Sequence, residues 1–248
     1  MYIVTLIYLT GDDYDKEISF INLLHNGRAD GIIMSVSGEA AKEHSYLHKL
    51  KTKHIPLVFF DRIYEDIEAA SVTTNDYESS FAATEHLILT GCKKIAFLVI
   101  NKNLSIGKTR LQGYVDALTQ YKIPYQHELV IDCSNNNEEN AELLKHIFTE
   151  LKPDGVFASV ERLAISTYYV CQELNISIPG QLKVICFSSL EISSLLNPSL
   201  TTITQPAFAM GTQAANLLFK ALEDATDFNP HEHIVLQSEL IIRKSTST

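Results

Sequence analysis

Short runs of apolar, often β-branched residues alternate along the chain with longer stretches whose apolar positions recur every three or four residues. The runs are YIVTLIYL (2–9), ADGIIMS (29–35), IPLVFF (55–60), SVTTN (71–75) and KKIAFLVI (93–100), with amphipathic stretches at 13–27, 39–53 and 77–91 between them. Strands that are apolar throughout are those covered on both faces, and strand–helix alternation of this kind builds a mostly parallel sheet. The helix after Asp76 illustrates the local logic. Asp76 is placed to cap its start, Phe81, Ala82, Leu87 and Ile88 share one broad face, and Gly91 suits the left-handed position that ends a helix.

The rhythm restarts at residue 101, with helices at 106–121, 137–151 and 160–174 and strands at 128–133, 154–159 and 182–188. Two similar halves in series predict an α/β protein of two doubly wound parallel-sheet lobes. After the second half come the extended stretch SLTTITQP (199–206), a helix at 207–224 and a last strand at 233–243. A final helix and strand placed there return to lobes already built, so more than one crossing between the lobes is expected.

Composition narrows the function. The 248 residues carry a net charge of −10, which works against gripping a phosphate backbone, since such affinity comes from clustered Lys and Arg. Contact with DNA would need another segment. Cys92, Cys133, Cys171 and Cys186 are widely spaced with no CxxC pair, which points to a reduced, cytoplasmic setting. The apolar run at the start lacks a basic flank and meets acidic residues after Gly11, so it predicts a buried strand and no membrane span.

Motifs for catalysis do not survive inspection. Gly107, Lys108 and Thr109 spell the end of a phosphate loop, but Lys102 stands where that loop needs its first glycine. Asp12 and Asp13 read as a helix cap or hydrated loop. His44 and His48, one helical turn apart, read as a solvated helix face, because no third metal ligand accompanies them. No nucleophile elbow, zinc-protease motif or dinucleotide fingerprint is present, so no enzyme, metal or cofactor is expected.

Ligands of parallel α/β proteins bind at the carboxyl ends of strands. Those ends hold Thr10 and Gly11, Ser35 to Ser37, Asp61 with Arg62, Cys133 with Ser134, Val160 with Glu161, and Ser188 with Ser189, while Arg110 opens the helix into the second half. Paired carboxylate and guanidinium groups suit sugar hydroxyls or base edges, because both offer hydrogen bonds in a fixed plane.

These segments carry a family resemblance. The ordered series ADGIIM (29–34), HIPLVFFDR (54–62), VTTNDYESSFAATEHLILTGCKKIAFL (72–98), TRLQGYVDAL (109–118), PDGVFASVERLAIS (153–166), IPGQLKVICFS (178–188) and PSLTTITQPAFAMGTQAANLL (198–218) resembles the lactose repressor (LacI/GalR) family of bacterial transcription regulators over essentially the whole chain. The resemblance implies a periplasmic-binding-protein-like type I effector domain of two lobes with three crossovers. It implies a cytoplasmic homodimer that binds a small metabolite, sugar or nucleobase-like, in the interlobe cleft. Operator DNA would be contacted only through an upstream helix-turn-helix. The lobes would be 1–100 plus 205–235, and 101–204 plus 236–244. The resemblance also places the DNA-binding head and the first strand and helix of the first lobe before Met1, which predicts a lobe truncated at its start.

By motif position, the effector contacts implied are Asp61, Arg110, Cys133, Val160, Glu161 and Ser188. Asp61 ends the FFD strand and Arg110 lies in RLQGY, as in the family pattern. Cys133 stands where many relatives have an aromatic residue, Val160 and Glu161 where AND or NDR is usual, and Ser188 where a GFD motif supplies an aspartate. A stand-alone solute-binding protein without DNA binding is the alternative; a small α/β enzyme is disfavoured because nothing supplies its chemistry.

Overall fold

The computed structural model describes residues 4–24, 29–37, 44–223 and 228–247. The expected helical residues 25–27, 39–43 and 224 lie outside the described residues. The chain forms two compact units, Met1–Thr73 with Phe208–Leu236, and Thr74–Ala207 with Gln237–Thr248, so it passes from one to the other three times.

The first unit contains α1 (Tyr14–Leu24), β1 (Ile32–Met34), α2 (Ser45–Thr52), β2 (Leu57–Phe60) and β3 (Ala70–Thr74). The second begins with α3 (Asp76–Leu89), β4 (Ile95–Val99), α4 (Ser105–Gln120), β5 (Val130–Asp132), α5 (Asn137–Glu150), β6 (Gly155–Ala158), α6 (Glu161–Glu173), β7 (Lys183–Phe187) and β8 (Thr201–Thr204). The chain then gives α7 (Ala207–Glu223) and β9 (His233–Leu236) to the first unit and β10 (Glu239–Ile241) to the second.

The first unit's sheet runs β1-β2-β3-β9, with β1, β2 and β3 parallel. Tyr46, Leu47 and Leu50 of α2 and Ile21 of α1 pack on one side with Leu57 and Phe59. Met210, Ala214 and Leu217 of α7 bury Val58, Ala70 and Val72 on the other. The period-two alternation of β2 thus feeds two cores. In the second unit the order is β10-β8-β7-β6-β4-β5, parallel except for β10, which runs antiparallel to β8. Every residue of β4, β6 and β7 is buried. Leu144, Ile147 and Phe148 of α5 and Leu163, Ala164 and Val170 of α6 cover one face. On the other face Phe97, Phe157 and Phe187 form a ladder of rings with centroids 5.2 and 5.8 Å apart, and Tyr114 of α4 stacks on Phe97 at 5.1 Å. Burying each ring contributes about 1.5–3 kcal/mol.

Four expectations are corrected by this architecture. Residues 4–9 form no strand and stand exposed, with Val4, Ile7 and Leu9 each more than four-fifths accessible. A strand needs a neighbour to satisfy its backbone, and among the described residues β1 pairs only with β2. Residues 74–100 belong to the second unit, because β4 pairs with β5 and β6 and α3 packs on α4. The single strand expected at 233–243 breaks at the crossing into β9 and β10, which serve different sheets. Finally, α3 turns a different face inward: Ser79, Ser80, Ala83, Thr84 and Leu87 are buried, whereas Phe81, Ala82 and Ile88 are half-buried. The reason is Gly113 of α4, where an added Cβ would lie 2.4 Å from the Tyr77 carbonyl; so close an approach leaves room only for small side chains. Gly91 does take a positive φ of 103° at the end of α3.

Candidate ligand-binding site

The carboxyl ends of β4, β5, β6 and β7 lie side by side in the second unit, and Arg110, in the second turn of α4, reaches this edge. Its side chain is 5% exposed. Nε donates to Asp76 Oδ1 at 2.7 Å, Nη1 donates to the Ser159 carbonyl at 2.6 Å, and the guanidinium sits 3.5 Å from the centre of the Phe187 ring. Asp76 Oδ2 accepts in turn from the Thr74 hydroxyl at 2.9 Å. Asp76 is therefore not the helix cap expected; it is the first residue of α3 and anchors the arginine, with Asn75 at the cap position. The arginine's Nη2 is buried and has no hydrogen-bond partner among the described residues. A buried donor left unpaired costs about 1–3 kcal/mol.

The other candidates of this unit sit around that edge with differing roles. Val160 precedes α6 in extended conformation next to the Ser159 carbonyl that Arg110 holds, and offers only an apolar surface. Glu161 opens α6, half-buried, and also lines the groove between α5 and α6. Cys133 follows β5, with its amide donating to the Val99 carbonyl at 2.7 Å. Burial, reinforced by Asp132, pushes its thiol up to about 12, so it is protonated at neutral pH and is no nucleophile. Ser188 is 4% exposed and spends its hydroxyl locally: Oγ accepts from the Leu190 amide at 3.2 Å and lies 3.4 Å from Ser193 Oγ. That hydroxyl shapes the turn after β7.

Asp61 stands in the first unit at the end of β2, half-buried, with φ of 60° and its amide donating to the Val72 carbonyl at 2.9 Å. Beside it, Arg62 donates from Nη1 to Asp12 at 2.7 Å and from Nε to Ser35 Oγ at 3.3 Å, so Asp12 is an ion-pair partner. Asp13 caps α1, accepting from the Lys16 amide at 3.0 Å.

Sequence reasoning missed Asp76, Ser159 and Phe187, the three groups that clamp Arg110. The one available signal was an aspartate opening a helix directly after a strand. It also misjudged His44, which is buried, not solvated. Its Nδ1 lies 2.9 and 3.0 Å from the two Asp66 oxygens and its ring stacks on Tyr64 at 3.5 Å. Beneath it, buried Glu17 accepts from the hydroxyls of Tyr46 and Tyr64 and from the Ser37 amide. Gly107 is needed for packing and not for phosphate, because a Cβ there would lie 2.2 Å from the Asn101 carbonyl. Among the described residues no group of His, Cys, Asp or Glu is arranged to hold a metal ion, and no helix is long and apolar enough to cross a membrane.

Comparison with known proteins identifies the family and the fold. The sequence pattern of the periplasmic binding protein-like domain matches residues 84–246. Catabolite control protein A of Priestia megaterium is 27% identical over 230 residues, covering 91% of this chain and 68% of that protein. The HTH-type transcriptional repressor PurR of Actinobacillus pleuropneumoniae is 25% identical over 238 residues, covering 95% of this chain and 70% of that one. Among solved structures, the transcription regulator CcpA of Lactococcus lactis superposes with a TM-score of 0.86 at 23% identity, covering 98% of this chain and 87% of that one. A LacI family transcriptional regulator from Enterococcus faecium with bound ribose superposes at 0.82 with 25% identity, covering 93% of this chain and 84% of that one.

Proposed function

Since the chain belongs to the periplasmic binding protein-like family and is the effector-binding domain of a LacI-type regulator, we propose that it is the ligand-sensing and dimerisation part of a bacterial transcription regulator. It binds a small metabolite, sugar or nucleobase-like, and so controls operator binding by a helix-turn-helix upstream. The observation that carries this reading is the buried Arg110, fixed on three sides by Asp76, the Ser159 carbonyl and Phe187, with its Nη2 unpartnered among the described residues. A fixed guanidinium is pre-organised, so a ligand oxygen accepting from Nη2 removes an existing cost at little expense in ordering. Val160, Cys133, Glu161 and Ser188 complete the second unit's contribution, and Asp61 is a separate candidate ligand contact carried by the first unit. With Val160 and Ser188 in place of the usual Asn and Asp, the preferred ligand has fewer hydroxyls to satisfy than a free pentose.

The regulatory mechanism is linkage. A ligand shifts the DNA-binding state only by as much as its affinities for the two states differ. Self-association is supported by α6, where Ile165 and Tyr169, one helical turn apart, are 44% and 53% exposed, and by Leu195, at 80%. Exposed apolar residues one helical turn apart, such as Ile165 and Tyr169, are what a homodimer buries.

The test is a thermal-shift screen of monosaccharides and nucleobases against the chain and against Arg110→Lys, which keeps a cation beside Asp76 but removes Nη2. A compound that stabilises the parent should lose most of its effect in the variant. An equal shift in both rejects the assignment. In parallel, Ile165→Asp with Tyr169→Asp should convert a dimer to a monomer by light scattering, and an unchanged mass rejects α6 as the interface.

A further inference from the structure

The second unit holds a cavity of about 230 Å³ that no residue of the proposed effector site lines. Its walls are Asn75, Glu78, Ser79 and Ala82 at the start of α3, Ile203 of β8, Ser238, and Leu240 of β10. We propose that it is a second small-molecule site, for an ammonium-bearing metabolite with a hydroxyl and a short apolar body. This goes beyond the effector reading and does not depend on it.

The walls divide by chemistry. Ala82, Ile203 and Leu240 give an apolar side. On the polar side Asn75 is engaged at both ends of its amide: its Oδ1 accepts from the Ser238 amide at 2.7 Å and from the Ser79 hydroxyl at 3.1 Å, and its Nδ2 donates to Gln237 Oε1 at 2.8 Å. Two groups remain for an occupant. Among the described residues, Ser238 Oγ is buried with no hydrogen-bond partner, and the exposed Glu78 carboxylate makes no hydrogen bond or ion pair. An unpaired carboxylate among the lining residues selects for a cation, and an unpaired hydroxyl in the same wall favours a hydroxyl on the same molecule. The volume is below the roughly 300–1,000 Å³ of pockets that take drug-sized ligands, which limits the occupant to about the size of an amino acid.

Its place gives binding a consequence. The chain crosses between units at 73–74, 207–208 and 236–237. Asn75, Gln237 and Ser238 follow two of those crossings, and the Gln205 amide, just before the third, donates to Thr74 Oγ1 at 3.0 Å. An occupant touching Asn75 and Ser238 therefore stiffens the hydrogen-bonded clasp from which the crossings depart.

The probe is leucinol, with 4-methylpentan-1-ol and 4-methylpentanoate as controls that lack the ammonium or reverse the charge. Backbone amide shifts in the full chain are the readout. Leucinol should shift Asn75, Ser79 and Ser238 saturably, with a dissociation constant on the order of a millimolar, as expected of so small a ligand. Glu78→Gln, on the surface and harmless to folding, should weaken it by about tenfold, the ratio that one charged hydrogen bond supplies. Ala82→Leu, which fills the apolar side, should abolish it. No saturable shift at these amides, equal affinity in Glu78→Gln, or tighter binding of 4-methylpentanoate overturns the proposal, and none of these results bears on binding through Arg110.

Discussion

Replacing Arg110 with alanine should unsettle the second unit even with no ligand present. The substitution strips Asp76, whose side chain is 6% exposed, of its 2.7 Å partner, takes the donor from the Ser159 carbonyl and removes the cation from Phe187. Removing one member of a buried ion pair costs about 3–5 kcal/mol, because the other charge stays buried and uncompensated. Against this stands the relief of losing the unpaired Nη2, about 1–3 kcal/mol. The net loss, taken between the midpoints of the two terms, is about 2 kcal/mol, a large share of the roughly 5–15 kcal/mol that holds a domain together. In urea, followed by far-ultraviolet circular dichroism, this appears as a midpoint lowered by about 1 M. The double variant Asp76→Asn with Arg110→Met removes both charges and keeps an apolar contact to Phe187, so its midpoint should lie between the single variant and the parent. A single variant within about 0.3 M of the parent, or a double variant less stable than the single, refutes the account of Arg110 as a clamped buried pair. For the same reason Arg110→Lys, not Arg110→Ala, is the informative ligand-binding variant.

Two further perturbations follow from packing and protonation. Gly113→Ala gains about 1 kcal/mol of helix propensity, yet places a Cβ 2.4 Å from the Tyr77 carbonyl and 2.9 Å from the Phe81 nitrogen. Those obstacles are backbone, so α3 and α4 must separate; a net loss of about 1–2 kcal/mol is expected, and a melting temperature equal to or above the parent's contradicts it. His86 is held below its usual 6.5 first by burial and then by Lys183, and its Nε2 meets Thr246 Oγ1 at 2.8 Å. The unfolded chain therefore binds this proton more readily than the folded one, so its contribution to stability is complete above about pH 6.5 and is lost as the pH falls below it. His86→Gln should lose less stability than the parent between about pH 7 and about pH 5.5, measured by urea midpoints; parallel losses exclude His86 as the cause.

What could be read in the chain beforehand follows from the range of each interaction. Strands such as IAFLV and KVICF are apolar throughout because helices cover both faces, so their composition alone announces a parallel sheet. Motif context singled out Asp61 and Arg110, and the structure buries the second while leaving the first half-buried. The ion pair of Arg110 with Asp76 spans 34 positions, and no local pattern marks it. His44 looked like a surface residue because its partner, Asp66, arrives from the loop after β2. The run at 4–9 carries the composition of a strand, but composition does not supply a neighbouring edge. The break between β9 and β10 was hidden because HIVL and ELI join without glycine or proline, though they belong to separate sheets.

That break has a consequence for biosynthesis. The first unit's sheet takes its outer strand from residues 233–236, and the second takes β10 from 239–241 and then buries Ser245 and Thr246, with Ser245 bonded to Ser199 and Val184. A chain emerging from the ribosome at about 5–20 residues per second thus exposes two unfinished sheet edges until residues 233–241 are made. The first unit can complete its sheet once residues 233–236 emerge and the second only after 239–246, so a stop codon near position 230 would cost both units at once.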